Sequence, residues 1–218
     1  MFLPSLFIAA CLFLASPLST AGQVDPLWQA AIETLRASRD LVASEVNADT
    51  VVTDESGKNL DTIKKSTRLT GWRDGEPVRT TVKMVESQGS GLGELKFEWG
   101  VANHPEQALS DADSIVRAGP AMLDGKATVL SHLTGVQRKR PFTAKVWIDE
   151  ATRLPLRADY VFKGASMMKS MTYSIVFGRD EQARWLPLKV DSDATVSALL
   201  YQVRIQSAQQ LSSWVKRP

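Results

Sequence analysis

Cysteine, histidine and any excess of one charge are nearly missing from this chain of 218 residues, which has one Cys, two His and a formal net charge of +2 from 26 basic and 24 acidic residues. The balance of charge removes the basic footprint that nucleic-acid binding needs. The sole cysteine, Cys11, lies in the apolar first stretch. If that stretch is removed, no disulfide, thiolate metal site or cysteine nucleophile is left. His104 and His132 have no Asp or Glu at ligand spacing, so structural roles are expected for both and no metal. No Gly-x-Ser-x-Gly elbow accompanies the serines. The glycine-rich run 88–93 lacks the Gly-Lys-Ser/Thr ending of a phosphate loop and leads into an alternating strand pattern over 95–101, so it reads as a hairpin connection. Asp111 and Asp113, two apart on a predicted helix, diverge rather than form a carboxylate pair. These absences leave no catalytic site and no cofactor to expect.

The apolar run from Leu6 to Ala15, followed by Ser19-Thr20-Ala21, reads as a secretory signal cleaved after Ala21, too short to span a membrane. Ile8-Ala9-Ala10-Cys11 has the look of a lipoprotein-processing site, but the apolar Leu12-Phe13-Leu14-Ala15 would then follow the cleavage. With residues 1–21 removed, 22–218 is expected to form a single domain without thiols, which suits a bacterial periplasm. At 44% hydrophobic residues the chain can bury a real core.

Asp25-Pro26 marks a helix start, and Leu27, Ala31 and Leu35, flanked by Trp28 and Ile32, make an apolar stripe expected to run to about Ala43. From 46 the period changes to two. Strands are predicted over 46–53, 63–72 and 78–86, with Asp54-Glu55-Ser56-Gly57 and Arg73-Asp74-Gly75-Glu76 as turns. A helical insert is predicted from His104-Pro105, with Ala108, Leu109, Ala112, Ile115 and Val116 at helical spacing and Ala118-Gly119-Pro120 breaking it. Strands resume over 127–134, and a hairpin follows. In it Ala144, Val146 and Ile148 alternate with Thr143, Lys145, Trp147 and Asp149; beyond Glu150-Ala151-Thr152-Arg153, Leu154, Leu156, Ala158, Tyr160 and Phe162 alternate with Arg157, Asp159 and Val161. Further strands are predicted over 170–178, with Met171, Tyr173, Ile175 and Phe177 on one face, over 185–190, and over 195–206 with Leu199, Tyr201, Val203 and Ile205 on one face. The tail 209–218 reads as polar apart from Leu211, Trp214 and Val215.

About ten antiparallel strands and two helices imply a mostly β (α+β) fold, either a sandwich or one wide sheet curling around its helices. The second option uses both helices: a curved antiparallel sheet forms an unclosed half-barrel, covered by the N-terminal helix and the mid-chain helical insert. Phe162, Met171, Tyr173, Phe177, Leu199 and Tyr201 would then line an apolar cavity, or simply interdigitate as a filled core. Trp72, Trp99, Trp147 and Trp185 are placed at the rim, with Trp147 and Trp185 on the face opposite the main apolar one. Gln137-Arg138-Lys139-Arg140 is expected at a hairpin tip, where its charges are solvated or meet anionic headgroups.

The text 143–156, TAKVWIDEATRLPL, resembles the hairpin of LolA-like proteins, the periplasmic outer-membrane lipoprotein carriers and their sorting-protein relatives. Tyr173-Ser174-Ile175-Val176-Phe177-Gly178 and Trp185-Leu186-Pro187 resemble that family's next strands. The resemblance implies an unclosed β-barrel with a helical lid around an apolar ligand, such as a lipid or a lipoprotein acyl chain. Relatives with this fold also contact membrane-associated protein partners, so a protein-binding module with a filled interior is the other function expected. A monomer is favoured in either case.

Overall fold

The structure, a computed structural model, describes residues 25–87, 109–110, 112–137, 139–165, 168–198 and 201–218, with the side chains at 165, 198 and 201 excepted. Among the described residues one helix, α1 (Pro26–Arg36), precedes ten strands: β1 (Leu41–Asp54), β2 (Asn59–Arg73), β3 (Glu76–Glu86), β4 (Ala112–Leu123), β5 (Lys126–Gln137), β6 (Arg140–Asp149), β7 (Pro155–Ala165), β8 (Met168–Arg179), β9 (Trp185–Ala198) and β10 (Tyr201–Lys216). They form a single unclosed sheet in the order β3-β2-β1-β10-β9-β8-β7-β6-β5-β4. Every neighbouring pair is antiparallel.

Local chemistry accounts for most of the hairpins. Asp74-Gly75 and Asp124-Gly125 both hold positive φ at their two central residues (53° and 78°; 49° and 78°), the geometry in which a two-residue turn matches strand twist. Asp54, Asp149 and Asp180 close longer turns by accepting backbone N–H bonds at 2.8–3.0 Å from Ser56 and Lys58, from Thr152, and from Gln182 and Arg184. The helix begins as its cap dictates: Asp25 Oδ1 accepts the Leu27 N–H at 2.8 Å, with Pro26 at the first helical position. Its stripe of Trp28, Ala31, Ile32 and Leu35 is buried against one face of the sheet, here called the inner face.

Three predicted elements take another form. The helix stops at Arg36, and Leu41 to Ala43 belong to β1, where Leu41 pairs with Lys216, Val42 with Val215 and Ala43 with Trp214. That partner lies at the far end of the chain, out of reach of any local pattern. In the predicted insert, residues 104–108 fall outside the described ones; Leu109 and Ser110 are helical, but Ala112, Ile115 and Val116 lie in β4. There the ladder slips at Ala112/Ser114 and at Arg117/Gly119, so two irregularities on an exposed edge strand erase the period-two signal. Gly119 (φ 115°) and Pro120 sit inside this edge strand rather than ending a helix. Finally, the single strand predicted over 195–206 is the end of β9 and the start of β10, with Tyr201 paired to Ala198. The apolar Ala198-Leu199-Leu200-Tyr201 carries no turn residue, hence no signal.

The tail read as polar is the second half of β10, paired with β1 near the middle of the sheet. Ser213 has φ 56°, and Ser44 and Ser213 drop out of the ladder between the Ala43/Trp214 and Glu45/Ser212 pairs. Inward-facing positions slip by one there, which places Leu211 and Trp214, three apart, on the same buried face. The outer face is solvated and carries ion pairs such as Arg157–Asp159 and Lys189–Asp191, both 2.8 Å, which contribute little to stability in water.

Candidate functional site

Register converts the inner face into lateral rows running from strand to strand. One row joins Phe142, Phe162, Met171, Ala194, Ile205, Val52 and Asp61 across β6 to β2. A second joins Val146, Ala158, Ile175, Val190, Gln209, Ala48, Lys65 and Met84. Between them runs a third: Ala144, Tyr160, Tyr173, Ser192, Ser207, Thr50, Ile63 and Glu86.

The β6–β8 half of this face is aromatic and sealed. The Phe162 ring lies 5.7 Å from those of Phe142 and Tyr173, edge-on to the latter at 89°, and 6.3 Å from Tyr160 in a near-stacked arrangement. These offset and T-shaped contacts are the favoured aromatic geometries. Helix α1 packs on the same cluster through Trp28, Ala31, Ile32 and Leu35, and Leu109 joins it.

The β10–β3 half of the same face is mixed: Ile205, Val52 and Ile63 form a second, smaller buried apolar cluster, and the surface opens only along the row on its other side. Along the second row Val146, Ala158, Ile175 and Val190 are fully buried, Gln209, Ala48 and Lys65 half-buried, and Met84 exposed. Along the third, exposure rises from 0% at Tyr160 through 4% at Tyr173, 7% at Ser192 and 8% at Ser207 to the half-buried Thr50, and the row closes again at the buried Ile63 on β2. Charge is concentrated at this end. Asp61, with no exposed surface, accepts hydrogen bonds from the Thr62 N–H (2.8 Å), the Ser87 N–H (3.0 Å) and the Ser87 hydroxyl (3.1 Å). Arg79 donates across the sheet to the carbonyls of Ala43 and Ser44, and burial pulls its pKa below the ordinary arginine value.

Of the residues predicted to line a cavity, Phe162, Met171, Tyr173 and Phe177 are together on the inner face and buried. Leu199 lies outside the described residues, as does the Tyr201 side chain. Phe142, Ser192 and Ser207 were missed as members of this surface, although Phe142 continues the alternation of Ala144 and Val146; Tyr160 is buried on the face that the hairpin's alternation assigns it. Trp147 faces outward with the Arg157 guanidinium 5.7 Å above its ring. Trp185 is half-buried, packs beside the core and donates its indole N–H to the Pro155 carbonyl at 2.7 Å. Lys139 sits exposed at the β5–β6 turn with φ 65°, as a hairpin tip requires, and His132 is exposed on β5. Among the described residues no three His, Cys, Asp or Glu side chains converge. The chemistry this face offers is burial and hydrogen bonding.

No family model matches the chain, and no curated protein matches its sequence. Solved structures do match. A DUF1329 family protein from Desulfovibrio piger shares 13% identity at a TM-score of 0.41, covering 88% of this chain and 94% of that one. A domain described as that of an outer membrane lipoprotein-sorting protein, from Vibrio parahaemolyticus, shares 10% identity at a TM-score of 0.38, over 87% and 93%. Lipoprotein LppX from Mycobacterium tuberculosis shares 14% identity at a TM-score of 0.27, over 86% and 95%. Likenesses of this size say nothing of ligand or activity.

Proposed function

We propose that this chain is a carrier or binding protein of the bacterial envelope. On this reading it is exported with residues 1–21 removed, 22–218 act as one domain, and an apolar ligand such as a lipid or a lipoprotein acyl chain is held between the inner face and α1, without a cofactor and without catalysis. The observation that carries this reading is the inner face itself. It runs unbroken from the sealed aromatic block around Phe162 to the half-buried surface around Gln209, Ala48 and Lys65, with no strand edge between. Phe162, Met171, Tyr173 and Phe177 form the floor for the ligand in this proposal, with Leu199 and Tyr201 proposed as further lining residues. The helix α1 covers that floor through four buried side chains on a single short element, and it is the part that yields when a ligand enters.

Each methylene moved from water to the apolar floor contributes about 0.8 kcal/mol. One acyl chain of ordinary length therefore supplies on the order of 10 kcal/mol before the cost of association, enough for useful affinity. The test is native mass spectrometry of the mature protein, expressed into a periplasm and purified without detergent, followed by solvent extraction. An adduct of lipid mass that disappears on extraction supports carriage. A bare mass that stays bare when lipids and acylated peptides are offered overturns it and turns the search toward a protein partner.

A further inference from the structure

Lateral register places five hydroxyl side chains side by side on consecutive strands, each on the inner face: Tyr160 on β7, Tyr173 on β8, Ser192 on β9, Ser207 on β10 and Thr50 on β1. With strands about 4.8 Å apart, the row spans roughly 19 Å. It rises from the sealed interior at Tyr160 to the half-buried Thr50, is closed beyond it by the buried Ile63, and borders the half-buried Gln209, Ala48 and Lys65 of the neighbouring row. An apolar row flanks it on each side through β9: Phe162, Met171 and Ala194 on one, Ala158, Ile175 and Val190 on the other.

The outer end of the row has donor capacity to spare. Thr50 and Ser207 share one hydrogen bond, Thr50 Oγ1 to Ser207 Oγ at 3.0 Å, and Ser192 gives its hydroxyl to the Ser207 carbonyl at 3.4 Å. Either hydroxyl of this pair can be the donor, so one of the two O–H groups is left without an acceptor among the described residues, beside a Ser207 that is 8% exposed. A buried hydroxyl with an unused donor is costly unless an acceptor arrives. An acyl chain alone brings none. A carbonyl attached to its head does.

We infer that the ligand is an acyl ester or amide bound in one orientation: chain end on the aromatic block of Phe142, Phe162 and Met171, carbonyl linkage at the Ser207–Thr50 pair, and polar head outward over Gln209, Ala48 and Lys65. Entry is acyl-first from the β10–β2 side. The hydroxyl row is uncharged, which fits a neutral carbonyl rather than an ionised group. This assignment rests on the carrier reading, deepens it, and can fail separately from it.

Two measurements test it. Monopalmitoylglycerol is prepared with a photoactivatable diazirine either at the terminal carbon of the chain or in the glycerol head, bound to the wild-type protein and crosslinked, and labelled peptides are mapped by mass spectrometry. The orientation predicts labelling of β6–β8 by the chain-end probe and of β10, β1 and β2 by the head probe. The reverse pattern, or the same peptides from both probes, overturns the orientation and leaves carriage standing. No saturable labelling of the inner face by either probe overturns both. In the second measurement, binding is followed by displacement of N-phenylnaphthylamine. Ser207→Ala should weaken monopalmitoylglycerol about three- to tenfold, the range expected for one hydrogen bond, and leave hexadecane unchanged. Gln206→Ala, on the exposed outer face, should change neither. Equal loss for both ligands in Ser207→Ala, or no loss for the ester, overturns the role given to the carbonyl.

Discussion

Truncating Phe162 asks the inner face whether it is a packed core or an open cavity when no ligand is present. The side chain is 5% exposed and lies among the rings of Phe142, Tyr160 and Tyr173 at 5.7, 6.3 and 5.7 Å. An aromatic side chain of this kind removes on the order of 150 Å² from water, which at about 25 cal/mol per Å² gives about 4 kcal/mol. Measured Phe→Ala truncations in cores fall in the same range, about 3–5 kcal/mol. For a domain of this size that corresponds to a fall in melting temperature of about 8–16 °C. Its neighbour in β7, Val161, points to the outer face and is 50% exposed, so Val161→Ala should cost less than about 1 kcal/mol. Both are read by urea unfolding of delipidated protein followed by tryptophan fluorescence. The reasoning is refuted if Phe162→Ala costs less than about 1.5 kcal/mol, or no more than Val161→Ala. Saturating acyl ligand should recover part of the Phe162→Ala loss, because a ligand that binds only the folded state stabilises it.

Two further outcomes are expected. Asp25→Ala removes the acceptor for the Leu27 N–H and should cost about 1 kcal/mol, seen as faster amide exchange confined to α1 and as faster uptake of an acyl probe; exchange that rises evenly over the sheet would contradict α1 as the yielding cover. Acid should unfold the protein through its turn aspartates. The pKa of Asp54 is lowered chiefly by the Ser56 hydroxyl and that of Asp149 chiefly by the Thr152 N–H. For Asp180, burial opposes the charge but the Arg184 guanidinium and the N–H groups of Arg184 and Gln182 outweigh it, and the pKa is lowered. A carboxylate with a lowered folded pKa stabilises the native state above the unfolded value near 3.9, and that contribution is lost as pH falls through the folded value. The urea midpoint should therefore decline below about pH 4, less steeply in the triple Asp→Asn variant at these positions; identical acid limbs would refute the assignment.

Much of the inner face could be read before any fold was known, because two adjacent hairpins alternate cleanly. Ala144, Val146 and Ile148, then Ala158, Tyr160 and Phe162, then Met171, Tyr173, Ile175 and Phe177 are all buried on the face their period assigns. Where a strand is paired on both sides and has one wet face, period two survives in the text even though these ladders shift register at Trp147/Ile148 and at Val176/Phe177. It fails at the sheet's irregular places. On β4 an open edge with two ladder slips puts Ile115 and Val116 both in solvent, at 41% and 58% exposure, and their spacing imitates a helix. On β10 the slip at Ser213 makes a central strand look like a polar tail.

What the sequence determined by itself was local: the cap at Asp25-Pro26, the Asp-Gly turn at 74–75, the aspartate turns, the alternation of β6 to β8, and hence an antiparallel sheet with one apolar face. Turn dihedrals and side-chain alternation depend on residues a few positions apart, so they are written where they act. Only the tertiary structure decided that β1 pairs with β10, closing the gap between the two ends of the chain in the middle of the sheet. Such pairing depends on a partner 149 to 175 residues away, and no local pattern encodes it. The hydroxyl row has the same origin. Tyr160 and Tyr173 are legible as members of the apolar face, but Ser192, Ser207 and Thr50 carry no signal of their own, and register alone sets the five in one line.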